Sequence, residues 1–384
     1  MNITVKLYEQ DSYLKNFTAE VQKCIPDGDF FKIVLNKTAF FPEGGGQYAD
    51  HGTLNNANVL DVQIDKNGTI FHKTDKALKE KTIVTGTLDW NRRFRHMQNH
   101  SGEHIISGII HSLYGLDNIG FHLGEDYVTC DYSEMLTTEQ VKKVEALSNK
   151  AVFENVGIKA WYPKPSELDA IPYRAKLDLK ENVRIVEIDG YDICACCAPH
   201  VGRTGEIGLI KITWTEKSHG GIRLHIACGN DALKDYNEKQ ENILKIMDYL
   251  SARQFETAEA VELLQKQNSN LTYELSQERK RTAEAKIQGL PEKDGNLVVY
   301  IENAEADTLR TIVNGGREKC TGVCVALTNS NKGYRYVISS KTVSVMKQAK
   351  IYNEALNGRG GGRDPMIQGT FGATLEEIKD YFEN

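Results

Sequence analysis

His100 and His104 stand four residues apart in a stretch that reads as helix, so both imidazoles leave one face a turn apart and can share a metal ion. Cys196 and His200 repeat that spacing in the turn-like string Cys196-Cys197-Ala198-Pro199-His200, adding a thiolate and a third imidazole. Either pair alone reads as well as two surface side chains. Two pairs in one chain, whose other cysteines are scattered rather than framed for disulfides, point to a zinc site of His100, His104, Cys196 and His200. Cys194 and Cys197 are close enough in sequence to replace Cys196, and only the matched spacing favours Cys196. His96 and His111 fall on much the same helical face; one sits in a basic run, the other at the apolar end, and both read as core or rim. Glu103, between the helix histidines, is a candidate general base for a water, although it projects off the line of His104 and a solvated glutamate is the plainer reading.

The helix that must carry the histidines begins after Asp89, a plausible N-cap, and its apolar residues recur at helical spacing until Gly115, predicting one long amphipathic helix. Before it, residues 1–88 alternate apolar and polar over short runs such as Phe31–Leu35. Asp27-Gly28, Asn67-Gly68 and Glu43-Gly44-Gly45-Gly46 mark turns, which together predict a small β-barrel or sandwich. Beyond it, a helix near 139–155 and strands near 184–188 and 207–213 make residues 89–229 a mixed α+β segment. Residues 231–287 contain neither proline nor glycine and carry an apolar stripe at helical intervals, a long coiled-coil-like helix or hairpin whose stripe packs on a helix of the same chain or of a second copy. Strands at 297–301, 322–327 and 334–338 alternate with helical stretches in a small α/β domain over 290–384. The expected class is α+β in four segments: 1–88, 89–229, 230–289 and 290–384.

No apolar run approaches the length needed to cross a bilayer, and Met1–Lys6 lack the flank of a signal peptide, so a soluble cytoplasmic protein without a membrane partner is expected. A net charge of −6 argues against indiscriminate nucleic-acid binding and leaves local basic patches to do any such work. Arg92, Arg93 and Arg95 form one candidate, Arg279, Lys280 and Arg281 a second, and the Lys341–Arg363 stretch a third. For each, a solvated face is the plainer reading.

Three strings, Thr38-Ala39-Phe40-Phe41-Pro42-Glu43-Gly44-Gly45-Gly46-Gln47, Asn99–His104 and Cys196–Val201 with Thr204-Gly205-Glu206-Ile207-Gly208, resemble in order the editing domain of alanyl-tRNA synthetases and their free-standing relatives. Together they cover roughly residues 1–229. The run from Gly358 to Gly369, with Arg363, Asp364 and Gln368, is similar to the glycine-rich signature of the domain that follows the editing domain. The resemblance implies a hydrolase that deacylates mischarged alanine tRNA, seryl- and also glycyl-tRNA, in trans, since no ligase portion precedes Thr38. It implies zinc on His100, His104, Cys196 and His200, a pocket lined by Gln47, and tRNA contact through Arg359 and Arg363. Such a site has work to do because an alanine pocket rejects an added hydroxyl by only about a hundredfold. Thr38 and Gln47 are the candidates for recognising the serine hydroxyl and the ester, with the plainer readings that Thr38 is a strand residue and Gln47 braces its turn. One departure stands out: where the family usually reads Cys-Gly-Gly-Thr-His, this chain reads Cys-Cys-Ala-Pro-His, which keeps the metal spacing and loses a hydroxyl.

Zinc in such a site either lowers the pKa of a water towards about 7 or positions the ester. Four protein ligands close a tetrahedral shell whereas a catalytic ion keeps one position open, so the ligand count itself favours positioning unless the shell expands. Two rivals remain. His100-Ser101-Gly102-Glu103-His104 also fits the H-x-x-E-H string of a class of metallopeptidases, with Glu181 or Glu187 as the distant ligand. Alternatively the chain is a non-catalytic tRNA-binding or dimerisation module with structural zinc.

Overall fold

The structure is a computed structural model that describes residues 3–125, 127–175, 182–218 and 220–383. It is an α+β protein, and the chain divides into two compact units, Met1–Leu244 and Lys245–Asn384.

In the first unit, alternation of buried and exposed side chains builds a closed antiparallel barrel from β1 (Asn16–Asp27), β2 (Phe30–Leu35), β3 (Gly52–Leu54), β4 (Ala57–Ile64), β5 (Ile70–Thr74) and β6 (Ile83–Leu88), ordered β1-β2-β5-β4-β3-β6. On β4, Ala57 and Val59 are buried with strand period two, and a register shift between Val59 and Asp61 moves the buried position to Val62. Phe17, Ile33, Phe40, Phe41 and Val62 fill the interior. Closure leaves no open sheet edge.

The histidine-bearing helix, α1 (Trp90–Tyr114), starts as its sequence predicts: the Asp89 carboxylate accepts from Arg92 N at 3.1 Å, and Gly115, at φ 68°, ends it in the left-handed conformation. It is not amphipathic, however. Every residue from His96 to Ile110 is buried, because α1 packs on several elements at once rather than lying on one sheet. These are α2 (Thr138–Glu154), a 3₁₀ turn at Thr204–Ile207, and strands of two small sheets. One sheet orders β12 (Ile210–Ser218), β13 (Gly221–Cys228), β8 (Val128–Tyr132) and β7 (Asn118–Leu123). The other orders β9 (Ile158–Trp161), β10 (Ile185–Ile188) and β11 (Asp192–Ala195). Ile207, expected in a strand, lies in the 3₁₀ turn. Such close wrapping explains a glycine in a helix interior, where it costs about 1 kcal/mol. A Cβ at Gly108 would sit 2.3 Å from the Tyr191 carbonyl oxygen, so glycine is what lets the start of β11 reach α1.

The arginine triplet at the start of α1 fastens this assembly. Arg93 is fully buried on Asp50 and on the carbonyls of Ala39 and Ser12. Arg95 grips Asp231 at 2.9 Å and the Gly124 carbonyl, and Arg92 bonds Glu125 and the Ala49 carbonyl. With these donors taken, the expectation of a basic patch or a solvated face at Arg93 fails.

The stretch 231–287 forms two helices, α3 (Asn230–Leu250) and α4 (Thr257–Gln288), broken where Ser251 takes φ 51°. Leu233, Tyr236 and Leu244 on α3, and Leu264, Leu271 and Leu275 on α4, remain exposed. In the second unit a five-stranded sheet orders β14 (Leu297–Tyr300), β15 (Val323–Ser330), β16 (Gly333–Ser340), β18 (Met366–Phe371) and β17 (Gly358–Arg363), with β14 parallel to β15 and the rest antiparallel. Helices α5 (Ala306–Gly316), α6 (Val345–Ala355) and α7 (Leu375–Glu383) pack on it. The glycine-rich run is thus an edge strand, not a loop. Gly360 and Gly369 face each other over Tyr336, leaving no room there for a Cβ. Among the described residues no helix is long and apolar enough to cross a membrane.

Candidate metal centre

One turn of α1 separates His100 from His104, and their rings lie 5.4 Å apart. The Pro199-His200 turn after β11 closes over them. Cys196 Sγ is 3.5 Å from His100 Nε2 and 3.4 Å from His200 Nε2, and the four donor atoms of His100, His104, Cys196 and His200 all lie within 4.8 Å of one another. The structure therefore brings together the four residues that spacing alone nominates.

What surrounds the four explains how they are aimed. His100 Nδ1 donates to Gln47 Oε1 at 2.8 Å, His104 Nδ1 to Asp192 Oδ2 at 2.9 Å, and His200 Nδ1 meets Ser101 Oγ at 3.0 Å. With the Nδ1 protons of His100 and His104 so engaged, the Nε2 of each keeps its lone pair for the common centre. Asp192 is held in turn by Arg174, whose Nε and Nη2 reach its two oxygens at 2.8 and 3.0 Å. The four side chains shift one another in different directions: burial lowers His104, but the Asp192 carboxylate and Cys196 more than offset this and hold its pKa well above the usual imidazole range. Burial raises the Cys196 thiol, but His100 and His200 beside it more than offset this and hold it well below the usual thiol range. Burial pushes His200 down to about 3, favouring the neutral imidazole that a metal requires. Three imidazoles and a thiolate match the ligand chemistry of zinc.

Beside the four opens a cavity of about 330 Å³, lined by His100, Glu103, His104, Cys196, Arg174 and Tyr162 among others. This lies within the range of roughly 300–1,000 Å³ usual for small-ligand sites. Glu103 is buried, not solvated. Its Oε1 accepts from Ser107 Oγ at 2.6 Å and from Asn118, while Oε2 lies 4.0 Å from His104 Nε2.

Other nominated residues sit elsewhere. Gln47 is fully buried and braces His100 rather than lining the cavity. It is delivered by the glycine turn. Gly46, at φ 84°, lies so close to β7 that a Cβ would meet the Phe121 carbonyl oxygen at 2.2 Å, and Leu123 N bonds the Gly46 carbonyl. Thr38 is the plainer of its two readings: its hydroxyl is 2.8 Å from His72 Nε2 and accepts from Phe40 N, wholly inside the barrel unit and outside the cavity. A hydroxyl so occupied is not available to a substrate. His96 is buried and His111 pairs with Asp117 at the surface. Glu187 lies on β10 outside the donor group and Glu181 lies outside the described residues; among the described residues it is Cys196 and His200 that join His100 and His104. Arg359 and Arg363 are exposed on β17, away from any of these groups in sequence and in the other unit. Asp192, Arg174 and Asn118 were not nominated by the sequence. Asp192 falls four residues before Cys196, the one local hint available.

Comparison with known proteins bears on the same residues. Residues 4–92 match the family described as tRNA synthetases class II (A), and residues 183–225, which include Cys196 and His200, match the threonyl and alanyl tRNA synthetase second additional domain. The alanyl-tRNA editing protein AlaX-L of Pyrococcus horikoshii is 28% identical over 98% of this chain and 96% of its own. An alanyl-tRNA editing protein of Rattus norvegicus is 28% identical over 94% and 93%. The alanine–tRNA ligase of Pyrococcus furiosus is 30% identical over 99% of this chain, which spans only 43% of that ligase. Over nearly its whole length, then, the chain is similar to the alanyl-tRNA editing proteins.

Proposed function

We propose that this protein deacylates mischarged alanine tRNA in trans, hydrolysing the ester between the terminal ribose and serine or glycine. The observation that carries the reading is the convergence of three imidazole Nε2 atoms and one thiolate at the wall of a cavity, each imidazole fixed from behind, in a chain similar end to end to editing proteins. His100, His104, Cys196 and His200 would hold zinc, and a bound zinc would supply a Lewis acid for the ester carbonyl. Glu103, anchored through Oε1 with Oε2 turned towards His104, takes the proton of the attacking water and passes it to the leaving ribose oxygen. Gln47, Asp192 and Ser101 keep the three rings from turning. Burial of the catalytic wall excludes bulk water and strengthens each of these interactions.

The exposed apolar residues of α3 and α4 support pairing of two copies, and Arg359 and Arg363 on β17 support contact with tRNA phosphates in a cytoplasmic setting. Incubation with seryl-, glycyl- and alanyl-tRNA of the alanine type tests the whole reading. Loss of seryl and glycyl groups with alanyl spared is expected; cleavage of none, or of all alike, contradicts it.

A further inference from the structure

The cavity holds two aromatic rings among its described lining residues. Phe121 lies against the metal ligands, its ring centroid 4.8 Å from that of His100. Tyr162 is different. It is 48% exposed, follows β9, and precedes Pro163, which restricts its backbone to extended conformations. Its hydroxyl donates to Glu9 Oε2 at 2.8 Å, and Glu9 is itself held by Lys6 at 3.2 Å. Two segments 153 residues apart thus pin an exposed aromatic ring in the lining of the cavity that holds His100, His104 and Cys196. Nothing in the metal chemistry uses that ring.

An acylated tRNA ends in an unpaired adenosine, and the ester sits on that nucleoside's own ribose. Any ester presented to the metal centre therefore carries its adenine into the same cavity. An isolated base is held by stacking on an aromatic face, which works without hydrogen-bond readout and is strongest when the ring is fixed beforehand. We propose that Tyr162 is the stacking platform for the terminal adenine of the acylated tRNA, so that the aminoacyl ester is placed by its base as well as by the metal site. The inference rests on the proposed deacylase reading for its substrate but not for its test.

The test compares the zinc-loaded full chain with Tyr162→Ala, Tyr162→Leu and Tyr162→Phe. Binding of adenosine 5′-monophosphate and ribose 5-phosphate is titrated through the fluorescence of the neighbouring Trp161, alongside deacylation of seryl-tRNA. Stacking of one base corresponds to roughly a 5- to 150-fold change in affinity. The wild type binds the nucleotide more tightly than ribose 5-phosphate by a factor in that range. Tyr162→Ala and Tyr162→Leu lose the difference and raise KM by a comparable factor, with kcat and zinc content held. Tyr162→Phe, which keeps the ring and drops the Glu9 bond that pins it, retains a preference for the nucleotide that is smaller than in the wild type. Equal affinity for the two probes in the wild type, or unchanged nucleotide binding in the leucine variant, overturns the proposal. So does a collapse of kcat or zinc content in Tyr162→Leu, which would make the ring structural. Nucleotide binding that depends on Tyr162 in a protein that deacylates nothing would leave the platform standing and remove the deacylase reading instead.

Discussion

At the scale of single residues, the proposed reading separates side chains that hold the metal and its ligands from one that moves a proton. Asp192→Asn exchanges a charged acceptor behind His104 for a neutral amide and frees Arg174, so zinc affinity falls by about 10- to 100-fold. Glu103→Gln leaves all four ligands and their supports in place, so zinc stays and the rate at saturating substrate drops by about 10²- to 10⁴-fold. Zinc titration with a chelating indicator, run beside single-turnover deacylation, separates the two. An Asn variant with native zinc affinity removes Asp192 from the site, and a Gln variant with native rate removes Glu103 from the chemistry. That His100 and His104 stand together was legible because a helix converts a four-residue spacing into a shared face. The bond from His104 to Asp192 was not, since it joins residues 88 apart and the four-residue step from Asp192 to Cys196 is its only local mark.

Among elements, the barrel carries the clearest disagreement with the sequence reading. Thr38 looked available for a substrate hydroxyl, yet it spends its hydrogen bonds inside the barrel on His72 and Phe40. Burial of His72, only partly countered by its bond to the Ile33 carbonyl, pushes its pKa down to about 4 from an ordinary 6.5. A folded pKa below the unfolded one means that the unfolded chain takes up the proton first. Stability is therefore full above about pH 6.5 and declines as pH falls towards about 4, by about 3 kcal/mol at most. Urea titrations between pH 7 and pH 4 check this. His72→Gln should flatten the decline, and an equal decline in the variant would assign it to other groups. Thr38→Val belongs to the same account, losing stability while slowing seryl- and glycyl-tRNA hydrolysis alike. Strand alternation and turn glycines made the barrel readable in advance, and Asp89 with Gly115 bounded α1 to the residue. That α1 is buried all round was not readable, because periodicity reports a helix's own composition and not how many neighbours wrap it.

For the whole molecule, the proposed reading gives the two units different duties. The candidate metal ligands and the described residues that line the cavity all lie within Met1–Leu244, and Arg359 and Arg363 stand on an edge strand in Lys245–Asn384. The double variant Arg359→Ala with Arg363→Ala should raise KM for whole tRNA and lessen the salt dependence of binding by about one unit of log–log slope per lost phosphate contact, with kcat unchanged. Salt-series binding measurements that show an unaltered slope would take tRNA contact away from β17. All of this depends on one claim, that zinc on His100, His104, Cys196 and His200 serves the hydrolysis of a mischarged tRNA. The most direct measurement is single-turnover deacylation of seryl-tRNA of the alanine type by the same preparation as purified, after chelation, and after return of one equivalent of zinc. Activity that disappears on chelation and returns with zinc, while His104→Ala stays inactive throughout, is the predicted result. Full activity in the chelated protein, shown free of metal, would contradict it.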